Sequence, residues 1–170
     1  MVIVCGGSSV GKSTFLKSKK IHNYIDFTDK KNIKMMHAYN LKQKCEILHY
    51  NILKTGIVGE YDYAIEQKFI DIIKIIDITN VFVLAAPKDI ILKRISKRQK
   101  IEKDFGNLGE YQAQYFIDLY KSIDLYKLYS VIVDFLKENN VKYTMLDSRN
   151  KNYEPIDSSV TLKHVLEDAS

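Results

Sequence analysis

The sequence predicts an α/β fold, a five-stranded parallel sheet with helices on both faces, and three observations lead to it. Short apolar runs of strand length alternate along the chain with longer segments of helical periodicity, the pattern of a parallel sheet covered on both sides. Glycines and a proline fall at the junctions between these segments: Gly6-Gly7, Gly56, Gly59, Pro87, Gly106 and Gly109. The length, 170 residues with 46% hydrophobic and 28% charged side chains, suits one folded domain with a well-buried core. No repeat, low-complexity stretch or linker divides it, so residues 1–170 read as a single domain.

Val2 to Cys5 is a short apolar run ending at glycines and reads as a buried strand. Ser13 to Lys19 continues as helix. Tyr24-Ile25-Asp26-Phe27 suggests a second strand ending in Asp26, set beside the strand that feeds the first glycine pair. Asn32 to Lys44 has helical potential, and Cys45 to Tyr50 reads as a third strand. Asp62 to Ile76 has a broad apolar helical face through Ile65, Phe69, Ile72, Ile73 and Ile76. Val81 to Ala85 is the clearest strand and Pro87 closes it. Lys88 to Lys103 reads as helix, and Tyr111 to Asn139 as helix with a break near Ser122. Val141 to Leu146 is the last predicted strand, and Thr161 to Glu167 a terminal helix.

Composition narrows the function classes. No apolar run approaches the ~20 residues that span a bilayer. Met1-Val2-Ile3-Val4 runs straight into glycines, without the basic start and cleavage site of a secretory leader, so a cytoplasmic protein is expected. Cys5 and Cys45 form no close pair and read as reduced, buried thiols. Net charge is +5, from 26 basic and 21 acidic residues. That balance suits a polyphosphate site as well as nucleic acid. Only Arg94, Arg98 and Arg149 are arginine among many lysines. In a chain biased towards lysine, arginines mark places where lysine would not serve.

The sharpest signal is Gly6-Gly7-Ser8-Ser9-Val10-Gly11-Lys12-Ser13, which fits G-x-x-x-x-G-K-[ST] at every fixed position, after a strand and before a helix. The glycines let backbone N–H groups turn inward around phosphate oxygens, and the helix start adds partial positive charge. Contacts to a nucleotide are expected from Gly6, Ser8, Ser9, Val10, Gly11, Lys12, Ser13 and Thr14. Lys12 reaches the β- and γ-phosphates, and the Ser13 hydroxyl is the expected Mg²⁺ ligand. The implied cofactors are ATP and Mg²⁺. The guanine-reading N-K-x-D segment of regulatory GTPases is not found after Ala85, where Ala86-Pro87-Lys88-Asp89 stands instead.

With that loop and this order of elements, the chain resembles the P-loop nucleoside and nucleotide kinases, in the broad sense that includes shikimate- and adenylylsulfate-type kinases. The resemblance covers the whole chain in layout, and the phosphate loop is its specific match. It implies the P-loop kinase fold with a short, basic lid. Ile25-Asp26-Phe27-Thr28-Asp29 is similar to the second-strand segment of shikimate-like kinases, where the strand-end acid faces the acceptor hydroxyl. The resemblance gives that role to Asp26, with Asp29 as a second candidate. Asn51 stands where a strand-end acid is often found and cannot act as a base. If it occupies that place, the carboxylate comes from Asp26, Glu60 or Asp62. The phosphate loop also resembles that of guanylate kinases, whose GMP-binding pattern the rest of the chain does not match.

Arg94 and Arg98 are four residues apart and share a helix face just after the fourth strand. A guanidinium fork can bind two phosphoryl oxygens at once, and the family's lid arginines sit at this point. The alternative is a solvated basic face. Asp147-Ser148-Arg149-Asn150 follows the last predicted strand, where ligands gather in such sheets. The resemblance implies that this loop holds the adenine, with Arg149 able to stack on it. His49, Tyr50 and Asn51, at the carboxyl end of the third strand, are the expected acceptor contacts.

The expected activity is transfer of the ATP γ-phosphoryl group to a hydroxyl or phosphate of a small metabolite: a nucleoside, a nucleotide-linked compound or a sugar-like compound. A nucleotide-dependent regulatory NTPase or binding module is the alternative. A polynucleotide end kinase ranks lowest, because the lysines are scattered. The expected partners are therefore ATP and a small acceptor, with a homodimer left open and neither membrane nor nucleic acid.

Overall fold

The structure is a computed structural model, and it describes residues 2–7, 9–20, 25–26, 47–51, 78–102 and 108–167. Five strands and a helix define the frame of the site: β1 (Val2–Gly6), α1 (Lys12–Ser18), β2 (Ile25–Asp26), β3 (Ile47–Asn51), β4 (Asn80–Ala85) and β5 (Tyr143–Asp147). Between β4 and β5 lie α2 (Lys88–Glu102), α3 (Leu108–Ser122) and α4 (Leu125–Glu138). The described part closes with β6 (Pro155–Ile156) and α5 (Ser159–Glu167). The expected helices over 32–44 and 62–76 lie outside the described residues, as do Cys45, Asp29, Glu60 and Asp62.

The strands form one sheet in the order β2-β3-β1-β4-β5-β6. Every pairing from β2 to β5 is parallel, and β6 is antiparallel to β5, with Met145 opposite Ile156. The sheet is therefore mixed and has a strand the sequence pattern does not announce. Two residues are too few to carry a period, and Pro155 reads as loop. Proline is tolerated there because β6 is an edge.

The strand order corrects the expected place of Asp26. β3 lies between β2 and β1, so Asp26 pairs with His49 rather than flanking the phosphate-loop strand. Two strand spacings, roughly 9.6 Å, separate β2 from β1. It is Asn51, the last residue of β3, that lies opposite Gly6.

Burial explains why these segments form the centre. Val83, Leu84 and Ala85 are consecutive and each fully buried. Successive strand residues point to opposite faces, so the sheet is covered on both sides at β4. Ile3, Val4 and Cys5 of β1 are buried beside them, with Phe15 and Leu16 of α1 and Ile91 and Ile95 of α2. Phe15 packs on Phe82 and edge-on to Tyr153, at centroid distances of 5.7 and 4.9 Å. No helix among the described residues is long and apolar enough to cross a membrane.

The long helical stretch is two helices. Ile123 and Asp124 interrupt it, close to the expected break, and the Asp124 carboxylate accepts the Lys127 N–H at 3.0 Å as the N-cap of α4. The break re-aims α4 so that Leu128, Tyr129, Ile132 and Leu136 enter the core. Tyr129 is fully buried, and its hydroxyl donates to the Leu84 carbonyl at 2.8 Å. Burial raises its pKa, with Cys5 adding to the rise and a hydrogen bond from the Gly7 backbone opposing it. The phenol therefore stays protonated and remains a donor. Tyr129→Phe is expected to cost about 1–3 kcal/mol of unfolding free energy, because it leaves a buried carbonyl short of a partner. Urea unfolding of the two proteins checks this, and an equal midpoint would show that the hydroxyl does not hold β4.

Candidate active site

The loop from Gly6 to Lys12 leaves β1 at the carboxyl edge of the sheet and turns directly into α1. Among the described residues of the loop, three carry positive φ: Gly6 at 149°, Ser9 at 58° and Gly11 at 111°. Gly6 has no room for a side chain. A Cβ there would meet the Leu84 carbonyl oxygen at 2.7 Å and Val10 Cγ1 at 2.8 Å. The carbonyl that receives Tyr129 thus also seats the first glycine, so α4, β4 and the loop meet at one oxygen.

Gly11 occupies the N-cap position of α1 in left-handed geometry, with no side-chain cap and no acidic residue in the first turn. The opening N–H groups of a helix lack partners within it. Here no carboxylate or hydroxyl at the cap competes with an incoming anion. Lys12 is buried, and its ammonium donates to the loop's own Gly6 and Gly7 carbonyls at 3.0 and 2.6 Å. The sequence places its charge in this loop, and the structure adds that its stem is packed. Ser13 and Thr14 are exposed on the first turn of α1. Ser8 lies outside the described residues.

The loop fits a magnesium polyphosphate on three grounds: positive-φ backbone at Ser9 and Gly11, an uncapped helix start, and a buried ammonium on the loop. Lys12 and the loop N–H groups would hold the phosphates, and Ser13 would contribute its hydroxyl to Mg²⁺.

Cys5, beneath the loop, is a free thiol pushed up to about 12 by burial, with Lys12 pulling the other way. It stays protonated near neutral pH and offers no thiolate nucleophile.

Arg94 is placed differently from the lid position expected of it. It lies on α2, and its guanidinium reaches across to backbone carbonyls. Nη1 donates to Val10 O at 2.7 Å, and Nη2 donates to Ser148 O and, at 3.3 Å, to Arg149 O. Burial lowers its pKa, while Tyr153 and Asp147 raise it. A guanidinium remains charged throughout the working range. Arg98, one turn on, is exposed. The helix continues through both arginines to Glu102, and residues 103–107, where the short lid would follow, lie outside the described residues.

The loop after β5 completes this side. Ser148 is buried, and its hydroxyl lies 2.6 Å from Val10 O and 3.0 Å from Ala85 O, sharing one proton between them. Arg149 is tied to Asp147 twice, by its backbone N–H to Oδ1 and by Nε to Oδ2, each at 2.8 Å. This fixes Arg149 at the loop's edge, where it is partly exposed. Ser148 and Tyr129 are structural members of the site that the sequence does not single out. A buried serine after a strand and a tyrosine in a core stripe carry no mark of their carbonyl partners.

On the other side of β1, His49, Tyr50 and Asn51 end β3, and Asp26 ends β2, so all four stand at the same carboxyl edge as the phosphate loop. Their backbone places them there; Asp29 lies outside the described residues.

No protein-family model matches the chain, and no curated protein matches it by sequence. Among solved structures, it is similar to a chain from the structural characterisation of the PezAT chromosomal toxin–antitoxin system of Streptococcus pneumoniae. The TM-score is 0.57 at 10% identity, covering 98% of this chain and 78% of that one. At that identity the likeness bears on the fold alone, and it supports a P-loop-like fold.

Proposed function

We propose that this protein is a cytoplasmic ATP-dependent kinase that passes the γ-phosphoryl group to a hydroxyl or phosphate of a small metabolite. The observation that carries the reading is the Gly6–Lys12 loop. Its left-handed turns lead into an uncapped helix start, and a buried ammonium lies on the loop. Mg²⁺, when bound beside Ser13, supplies neutralising charge to the phosphate oxygens.

In this reading the acceptor oxygen attacks the γ-phosphorus, the bond from that phosphorus to the β-phosphate bridging oxygen breaks, and ADP leaves. The acceptor's proton passes to a carboxylate. Lys12 leaves its two carbonyls for the phosphates and meets the charge that builds on them. Phosphoryl transfer needs little covalent help, so positioning and charge account for most of the rate. We assign the clamp on the transferring group to Arg98. Arg94 is committed to three carbonyls and serves the loops instead. The acceptor side falls to the ends of β2 and β3, where Asp26, His49, Tyr50 and Asn51 stand.

Asp26 is the proposed base. Asp26→Asn is expected to leave ATP affinity within about twofold and to cut acceptor-dependent turnover by about 10²-fold or more, the scale of general-base catalysis. Measuring both in one mutant checks it. Unchanged turnover would remove Asp26 and turn the search to Glu60 and Asp62.

Screening ADP release over a panel of nucleosides, nucleotides and sugar-like metabolites tests the reading as a whole. Acceptor-dependent release supports the kinase. Release that ignores every acceptor supports a regulatory NTPase, and stimulation by oligonucleotide ends supports a polynucleotide kinase.

A further inference from the structure

Two loops of the carboxyl edge are joined through one carbonyl. Val10 O, inside the phosphate loop, accepts from Arg94 Nη1 at 2.7 Å and lies 2.6 Å from Ser148 Oγ, so two donor groups converge on it. The second nitrogen of the same guanidinium holds Ser148 O and Arg149 O. The loop after β5 is stiff in its own right: Ser148 N donates to Ala85 O and Asp147 N to Glu154 O, each at 2.8 Å. A planar fork on a helix thus spans two loops that share no covalent neighbour. A Cβ on Gly11 would come within 3.4 Å of Arg94 Nη1, so the fork also lies against the glycine that opens α1.

The sheet order gives this junction a direction. The acceptor residues end β2 and β3 on one side of β1, whereas Arg94 and Ser148 join the phosphate loop to β4 and β5 on the other. A nucleotide with its phosphates in the loop, and its acceptor on the β3 side, must send its nucleoside half over the β5 side.

We propose that Arg94 is a positioning residue that couples the phosphate loop to the loop at 147–150, so that filling the first with polyphosphate orders the second for the nucleoside. The proposal rests on the nucleotide reading above. Movement of the Val10 carbonyl is passed through one rigid guanidinium to Ser148 and Arg149. Lysine, a single point donor on a flexible stem, cannot hold both ends.

Amide hydrogen exchange on the intact chain tests it, with magnesium tripolyphosphate as a probe that has phosphates but no nucleoside. In the wild type, tripolyphosphate is expected to slow exchange in peptides covering 6–12 and, by about fivefold or more, in peptides covering 147–150. In Arg94→Met the protection of 6–12 persists and that of 147–150 is lost. Ser148→Ala, which keeps every Arg94 bond to the backbone, retains it. Arg94→Lys, which preserves charge and bulk if the methionine variant unfolds, loses most of it. Protection of 147–150 that survives in the folded Arg94 variants, or is missing in the wild type while 6–12 is protected, overturns the coupling alone. A phosphate loop that neither tripolyphosphate nor ATP protects overturns the nucleotide reading and the coupling with it.

Discussion

Lys12→Met is expected to lower acceptor-dependent phosphoryl transfer by about 10³-fold, the scale of losing one preorganised donor to transition-state charge. Methionine is the informative substitution because the lysine stem is packed and its ammonium is the chemical part. Alanine would remove both and confuse a cavity with a lost charge. The ammonium's bonds to the Gly6 and Gly7 carbonyls are lost as well, but so is the burial of a cation. Unfolding free energy is therefore expected within about 2 kcal/mol of the wild type. Turnover and urea unfolding together check this. A folded Lys12→Met protein with wild-type turnover would remove the lysine from the chemistry.

Gly6→Ala is the second large effect, and here the fold is expected to suffer. The new methyl would stand 2.7 Å from the Leu84 carbonyl oxygen, at a backbone φ of 149° that side chains rarely adopt. Neither neighbour can give cheaply. Leu84 lies in the central β4, and its oxygen already anchors Tyr129. Overpacking and backbone strain together come to roughly 2–4 kcal/mol. In a chain of this size that lowers the thermal midpoint by about 5–15 °C. Nucleotide affinity should fall too, because relief of the clash displaces the start of the loop. A calorimetric scan with and without ATP measures both, and an unshifted midpoint would mean that the loop is not seated on β4.

What the sequence made legible follows from where the physical signal resides. The phosphate loop could be read because its glycines meet a backbone need that other residues cannot, and its lysine has a fixed place in the pattern. The clear strands could be read because Val81 to Ala85 is continuous apolar sequence closed by Pro87. The two-helix form of 108–138 was half legible, with a break near Ser122 but without Asp124 as the cap. Arg94 was marked by its rarity as arginine, yet its partners were not, since all three are backbone carbonyls and any residue supplies one. The distance of Asp26 from β1 was hidden for another reason. A crossover can set its strand beside its predecessor or one place further, and the local pattern is the same in both cases.

The most direct test of the central claim is isothermal titration of magnesium ATP into the intact wild-type chain and into Lys12→Met. Saturable binding at one site per chain is expected, weakened at least about tenfold in Lys12→Met by the loss of charge-assisted hydrogen bonds. No binding to the wild type, or equal binding to both proteins, would contradict it.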